Sequence, residues 1–283
     1  MQVPSPLTEL RDERLGDVRL WLKRDDLISP DIPGNKWRKL KYNLVTAREQ
    51  AHHTLLTFGG AYSNHIRATA AAGARFGFDT IGVIRGEEHR PLNDSLAQAV
   101  RNGMRLSYLD RSAYRRKTSS AVLEALAAEF GDFYLLPEGG TNSLALKGCR
   151  ELPAEITVDF DVLCCACGTG GTLAGLAAGL RPGQRALGFA ALKGGDFLVA
   201  DVRRLQTEAF GAATDNWSID VDSHFGGYAR HTPELDAFIA DFRRRHDISL
   251  DRVYVAKMLH GVFAHVRSGH FPAGTTIVAV VTG

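Results

Sequence analysis

The sequence is poor in sulfur and in tryptophan, with four Cys, three Met and three Trp among 283 residues. Four cysteines in a chain of this length exclude a disulfide framework as the basis of the fold. Cys164 and Cys167 have C-x-x-C spacing and His260 and His265 loosely suggest a zinc pattern, but there is no second C-x-x-C. The cysteines lie in an apolar strand, where Cys behaves as a small hydrophobe, so no metal is expected. No apolar run approaches the roughly 20 residues that cross a bilayer. The start, Met1-Gln2-Val3-Pro4-Ser5-Pro6, has neither the basic nor the apolar region of a secretion signal. An excess of one charge is also missing: 34 basic against 32 acidic residues argue against a strongly basic nucleic-acid binder. The expectation is a cytoplasmic protein with neither membrane nor nucleic-acid partner. Lysine is scarce too. Only eight of the 34 basic residues are Lys, so each one invites inspection.

What is present is alternation. Strand-length apolar runs at 18–22, 54–58, 80–84, 133–136, 161–167, 186–191 and 276–281 are separated by amphipathic stretches at 64–76, 92–102, 119–130, 172–180 and 234–245. Strand–helix alternation with glycine-bearing connections predicts an α/β fold with mostly parallel sheets. Several strands lack a polar face, as expected where helices cover both sides of a sheet. The length suits about two domains.

Three segments carry candidate chemistry. In Pro33-Gly34-Asn35-Lys36-Trp37-Arg38-Lys39-Leu40, a Pro/Gly turn places Lys36 where a helix begins. The positive helix end and the neighbouring cations Arg38, Lys39 and Lys41 favour a neutral, nucleophilic amine there, although a solvated basic helix start has the same pattern. In Phe58-Gly59-Gly60-Ala61-Tyr62-Ser63-Asn64-His65, a strand ends in glycines and three polar side chains open a helix. Capping alone explains one of them; all three together suit an anionic group such as a carboxylate. The segment does not match the G-x-S-x-G of esterases. In Cys167-Gly168-Thr169-Gly170-Gly171-Thr172-Leu173, a strand enters a Gly/Thr loop that starts a helix, the arrangement that presents main-chain N–H groups to a phosphate. It fails both as a dinucleotide fingerprint and as a Walker A loop, which leaves a non-nucleotide phosphate or a plain tight turn. Tyr228 and Tyr254 stand near glycine-rich turns, a pattern that core packing also produces.

Taken together, the ordered motifs Lys23-Arg24-Asp25-Asp26-Leu27, Gly34-Asn35-Lys36-x-Arg38-Lys39-Leu40, Ser63-Asn64-His65, Pro137-Glu138-Gly139-Gly140-Thr141-Asn142, the 168–172 loop and Tyr254-x-x-Lys257 resemble the 1-aminocyclopropane-1-carboxylate deaminase and D-cysteine desulfhydrase family of pyridoxal phosphate enzymes. The resemblance implies the fold of the tryptophan synthase β subunit (fold type II), with two open, twisted, mostly parallel sheets flanked by helices. It implies a larger cofactor-binding domain of residues 1–45 and 149–283, and a smaller inserted α/β domain of 46–148. Residue by residue, it makes Lys36 the Schiff-base lysine and proton shuttle. Asn64 would bond the phenolic oxygen of pyridoxal phosphate, and Thr169, Gly170, Gly171 and Thr172 would cradle its phosphate, with Lys39 nearby. Ser63, Asn64 and His65 would hold the substrate carboxylate, Tyr228 and Tyr254 would stand close to the reacting side chain, and Ser63 and Tyr254 would join Lys36 in catalysis. Thr282 would face the pyridine nitrogen. A small amino-acid substrate and a homodimer are implied as well.

The two branches of the family differ at positions this sequence fills with Val255 and Thr282. The deaminase branch has Glu and Leu there; the desulfhydrase branch favours Thr at both. The expectation is therefore a lyase that eliminates a β-substituent and releases pyruvate and ammonia. A ring-opening deaminase and a cofactor-binding protein without turnover are the alternatives. Family members usually continue past the Thr-Gly at which this sequence ends, which bears on how the site would close.

Overall fold

The computed structural model describes residues 1–32 and 34–282, so Pro33 of the expected turn and Gly283 lie outside the described residues. The chain forms two compact units, one of Met1–Asn35 together with the chain from Leu146 onward, the other Lys36–Ala145. The divisions fall at 35/36 and 145/146, where the sequence reading put them at 45/46 and 148/149.

The first unit is built on a six-stranded sheet of β1 (Leu7–Leu10), β2 (Arg19–Arg24), β7 (Val162–Cys167), β8 (Arg185–Ala190), β9 (Trp217–Asp220) and β10 (Thr276–Val281). Their order is β1-β2-β10-β7-β8-β9, and only β1 runs antiparallel to its neighbour. The second unit has a parallel four-stranded sheet, in which β3 (Thr54–Gly59), β4 (Asp79–Arg85), β5 (Met104–Leu109) and β6 (Tyr134–Leu136) lie in the order β5-β4-β3-β6.

Period-two alternation divides the side chains of each sheet between two cores. In β10, Ile277, Ala279 and Val281 join one cluster and Val278 and Val280 the other. Cys164 faces the first cluster, Cys165 and Cys167 the second. All four cysteines are buried and outside any disulfide, and burial pushes the Cys164 thiol up, which suits packing in the core.

Helices cover both faces. Numbered along the chain they are α1 (Asn35–Glu49), α2 (Asn64–Phe76), α3 (Asp94–Arg101), α4 (Arg111–Arg115), α5 (Ser120–Phe130), α6 (Ser143–Arg150), α7 (Gly171–Ala178), α8 (Phe197–Phe210), α9 (Pro233–His246) and α10 (Val255–Arg267). In the first unit α9 and α10 pack Leu235, Phe242, Met258, Leu259 and Val262 on one face of the sheet. There α7 and α8 pack Leu173, Leu176, Leu198 and Val202 on the other. In the second unit, Leu56, Phe58, Ile81 and Val83 meet Tyr114 and Leu126 on one face, while Ile66, Ala70, Leu96 and Ala99 cover Ile84 and Met104 on the other. None of the described helices is long and apolar enough to cross a membrane.

Candidate active site

In the first unit, the 168–172 loop leaves the C-terminal end of β7 and opens α7. The cap residue Gly170 is left-handed, with φ at 75°, and as a glycine brings no side-chain cap to the first turn of the helix. A Cβ on Gly170 would lie 2.9 Å from Val202 Cγ2, so glycine is needed for both backbone angle and space. A helix N-terminus has four N–H groups without helical partners, and the cap residue here, a glycine, has no side chain to answer them. That is a ready anion site. Thr172 Oγ1 accepts a 2.8 Å hydrogen bond from the side-chain amide of Asn35, the residue immediately before Lys36.

The turn before Lys36 is fixed from the same unit. Gly34 has φ at 61°, and its N–H donates to Asp25 O at 2.8 Å. A Cβ there would fall 1.8 Å from the Thr282 carbonyl oxygen, so the Gly34 backbone lies directly on the end of β10. The motif around Asp25 is structural. Lys23 is wholly buried, donating to Ser5 O at 2.6 Å and pairing with Glu155 at 3.0 Å, while Ser5 Oγ donates to Asp25 at 2.6 Å. Thr282 is buried. Tyr254 sits at the entrance of α10, where the Asp251 carboxylate accepts from the N–H groups of Val253, Tyr254 and Val255 at 3.0, 2.7 and 2.8 Å. The Tyr254 ring lies against Gly168 and 6.0 Å, centroid to centroid, from the exposed Tyr228.

In the second unit, Lys36 and Lys39 are one turn apart in α1, a spacing that puts them on one face. Lys39 Nζ donates to Gly139 O at 3.1 Å and to Thr141 Oγ1 at 3.0 Å. Asn142 donates to Asn43 at 2.7 Å, which ties the 137–142 segment to the same helix. Ser63 caps α2 by accepting from Ile66 N, followed by Asn64 as the first helical residue. His65 is buried and neither ring nitrogen has a hydrogen-bond partner among the described residues. Burial, then the charges of Lys36 and Lys39, holds its pKa well below the usual range, so the ring is neutral at pH 7. A buried polar group without a partner is costly, and two on one ring mark a place where a ligand or water completes the bonding.

A family model described as pyridoxal-phosphate dependent enzyme matches residues 2–283. The chain belongs to that family. D-cysteine desulfhydrase of Yersinia pestis is 29% identical over 99% of this chain and 91% of its own length. The bifunctional D-cysteine desulfhydrase/1-aminocyclopropane-1-carboxylate deaminase of Arabidopsis thaliana is 28% identical over 88% of this chain and 68% of its own. Among solved structures, an ACC deaminase homologue superposes with a TM-score of 0.88 at 30% identity, covering 99% of this chain and 89% of that one. The protein is thus a pyridoxal-phosphate-dependent enzyme of fold type II, with two mostly parallel sheets flanked by helices, as the motifs imply.

The residues present fit that cofactor. The glycine-capped start of α7 would suit a phosphate, and a lysine stands in the first turn of α1, directly after Asn35. Reading the sequence missed three further residues here. Asn35 is visible in the sequence as part of a motif, with no sign of its bond to Thr172. Asp251 carried no signal beyond an acid three residues before a tyrosine. Lys257 stands out in the sequence as the end of Tyr254-x-x-Lys257 and as the next lysine to consider after Lys36 for the cofactor bond, but not as a group buried among carbonyls.

Proposed function

We propose that this enzyme eliminates a β-substituent from a small amino acid, converting D-cysteine and one water to pyruvate, ammonia and sulfide, the water hydrolysing the enamine left by elimination. Bound, pyridoxal phosphate supplies the electron sink that makes the α-proton of an amino acid removable. Lys36 Nζ holds the cofactor covalently and then moves the proton at the substrate α-carbon. Main-chain N–H groups of Thr169, Gly170, Gly171 and Thr172 hold the phosphate, with Lys39 adding positive charge, and Asn64 meets the phenolic oxygen. Ser63, Asn64 and neutral His65 receive the substrate carboxylate, while Tyr254 and Tyr228 attend the leaving group. Ser63 Oγ and the Tyr254 hydroxyl are the further groups able to pass a proton.

The observation that carries the elimination reading is the position after Tyr254. It holds Val255, 1% exposed within an apolar cluster, so no carboxylate stands there. The acid nearby in sequence, Asp251, is engaged by three N–H groups of the α10 entrance. Thr282 offers only a neutral hydroxyl toward the ring nitrogen. Neutral surroundings leave the ring a shallower sink, which suffices when a good leaving group departs promptly. Thiolate is one: the thiol pKa is about 8.5 in free Cys.

The test is a substrate panel with the purified holoenzyme: D-cysteine, L-cysteine, D-serine and 1-aminocyclopropane-1-carboxylate. Pyruvate with sulfide from D-cysteine, and no 2-oxobutyrate from the cyclopropane, is the expected result. The reverse preference makes the protein a ring-opening deaminase and removes the argument from Val255 and Thr282. A homodimer, supported by the family resemblance, and a cytoplasmic setting, supported by four buried cysteines outside any disulfide, belong to the same proposal. Sedimentation and fractionation test them.

A further inference from the structure

The segment that carries Tyr228 has an unusual backbone. Phe225 and Ala229 both take positive φ, 51° and 55°, beside Gly226 at 87° and Gly227 at 118°. The left-handed region disfavours residues with a Cβ, and such geometry persists only where the surroundings impose it. Apolar packing does not hold the outer part of this segment: Tyr228 is 44% exposed, and Ala229 and Arg230 are exposed too.

Phe225 anchors the start of the segment, its ring edge-on to His260 at 4.7 Å against the first cluster, and beyond it the group that reaches the segment from inside is an ammonium. Lys257, one turn after Tyr254 in α10, is 1% exposed. Its Nζ donates to His224 O at 2.8 Å, to Gly227 O at 2.7 Å and to Ala191 O, just past β8, at 3.2 Å. Three donors thus meet three main-chain acceptors. Among the described residues no carboxylate lies within ion-pair distance of Nζ, although a buried lysine is ordinarily paired with one. Burial lowers the Lys257 pKa and Asp251 acts in the opposite sense. The carbonyl dipoles take the place of a counter-ion, as they do around a desolvated small cation. The same helix end sets Tyr254 against Gly168 and 6.0 Å from Tyr228.

We propose that Lys257 is a positioning residue: its ammonium is a built-in cation that draws the His224 and Gly227 carbonyls together with that of Ala191, and so fixes Tyr228 beside Tyr254. The functional consequence rests on the roles proposed above for the two tyrosines; the backbone claim does not, and its test needs no substrate.

The measurement is amide hydrogen exchange on holoenzyme carrying Lys257→Met, which keeps the apolar stem and removes the charge. Exchange over 224–230 rises about tenfold, the loss of roughly one hydrogen bond's stabilisation, while amides of β7, β8 and β10 keep their protection. Lys257→Ala removes three methylenes and the amine, and propylammonium chloride supplies those atoms from solution. It restores protection at 224–230, where tetramethylammonium chloride does not. Wild-type exchange at 224–230 in the Met variant overturns the proposal. So does a rise spread evenly over the whole unit, or a folded Ala variant that propylammonium leaves unprotected. If neither variant folds, Lys257 is a folding residue and the positioning role is wrong.

Discussion

Two helices that follow parallel strands, α2 after β3 and α7 after β7, begin in opposite ways. At α2 the Ser63 hydroxyl accepts from Ile66 N and answers one of the orphan N–H groups, and the following residues add an amide and a buried imidazole. At α7 the cap residue is a left-handed glycine, which has no side chain to cap the helix. One unit offers side chains, the other offers main chain. The contrast separates the ligand groups each can receive. A bare N-terminus with glycine-thin walls admits a dianionic phosphate close to the helix axis, whereas a capped one presents individual hydrogen-bonding groups suited to a single carboxylate.

The largest effect should come from the residue that chemistry cannot replace. Lys36→Ala is expected to lose the visible absorption of the lysine-bound cofactor and to lower turnover by about 1000-fold or more, since it removes both the covalent bond and the proton carrier. Spectra and single-turnover kinetics check this together. Next comes the main-chain site. Gly170→Leu places a side chain where φ is 75° and a Cβ meets Val202 at 2.9 Å. It should weaken pyridoxal phosphate binding by about 100-fold, beyond its cost to folding. A folded Gly170→Leu protein with wild-type cofactor affinity breaks the contrast between the two helix starts.

Smaller effects sharpen the comparison. His65 has a pKa depressed by burial and by Lys36 and Lys39. The unfolded chain therefore takes up a proton below about pH 6.5 that the folded chain refuses. Stability contributed by neutral His65 is complete above that pH and is lost as pH falls toward the folded value, with a slope of up to about 1.4 kcal/mol per pH unit for one proton. His65→Gln should flatten the denaturation free energy over that window, measured by urea unfolding between pH 7 and pH 5. Smallest of all, Ser63→Ala should cost about 1 kcal/mol of stability as a lost cap. No such substitution exists at α7, where the cap residue is a glycine.

Much of this architecture was legible in the sequence, and the parts that were not share a cause. The stretches 64–76 and 276–281 coincide with α2 and β10, because an amphipathic run and an unbroken apolar run each leave one reading. The strands not expected, β1, β5 and β9, all lie at sheet edges, where one side lacks a neighbour and the side chains are only partly buried. Their apolar signal is correspondingly weak. Within the site, positions set by local chain geometry were readable: Lys36 at a helix start, Ser63 at a cap, Gly170 in a tight turn. Partnerships set by tertiary structure were not. Asn35 meets Thr172 across 137 residues of sequence, and Lys257 gathers carbonyls 30, 33 and 66 residues away. Backbone acceptors have no side-chain signature, so the carbonyl cage around Lys257 could not have been found from residue types.

The central claim is that this chain is a pyridoxal phosphate enzyme whose covalent lysine is the one following Asn35. Borohydride reduction of the purified holoenzyme, followed by proteolysis and peptide mapping, tests it most directly, since reduction makes the lysine bond permanent. The account predicts a single stoichiometric adduct on Lys36. An adduct on Lys257, or one spread over several lysines, would contradict it.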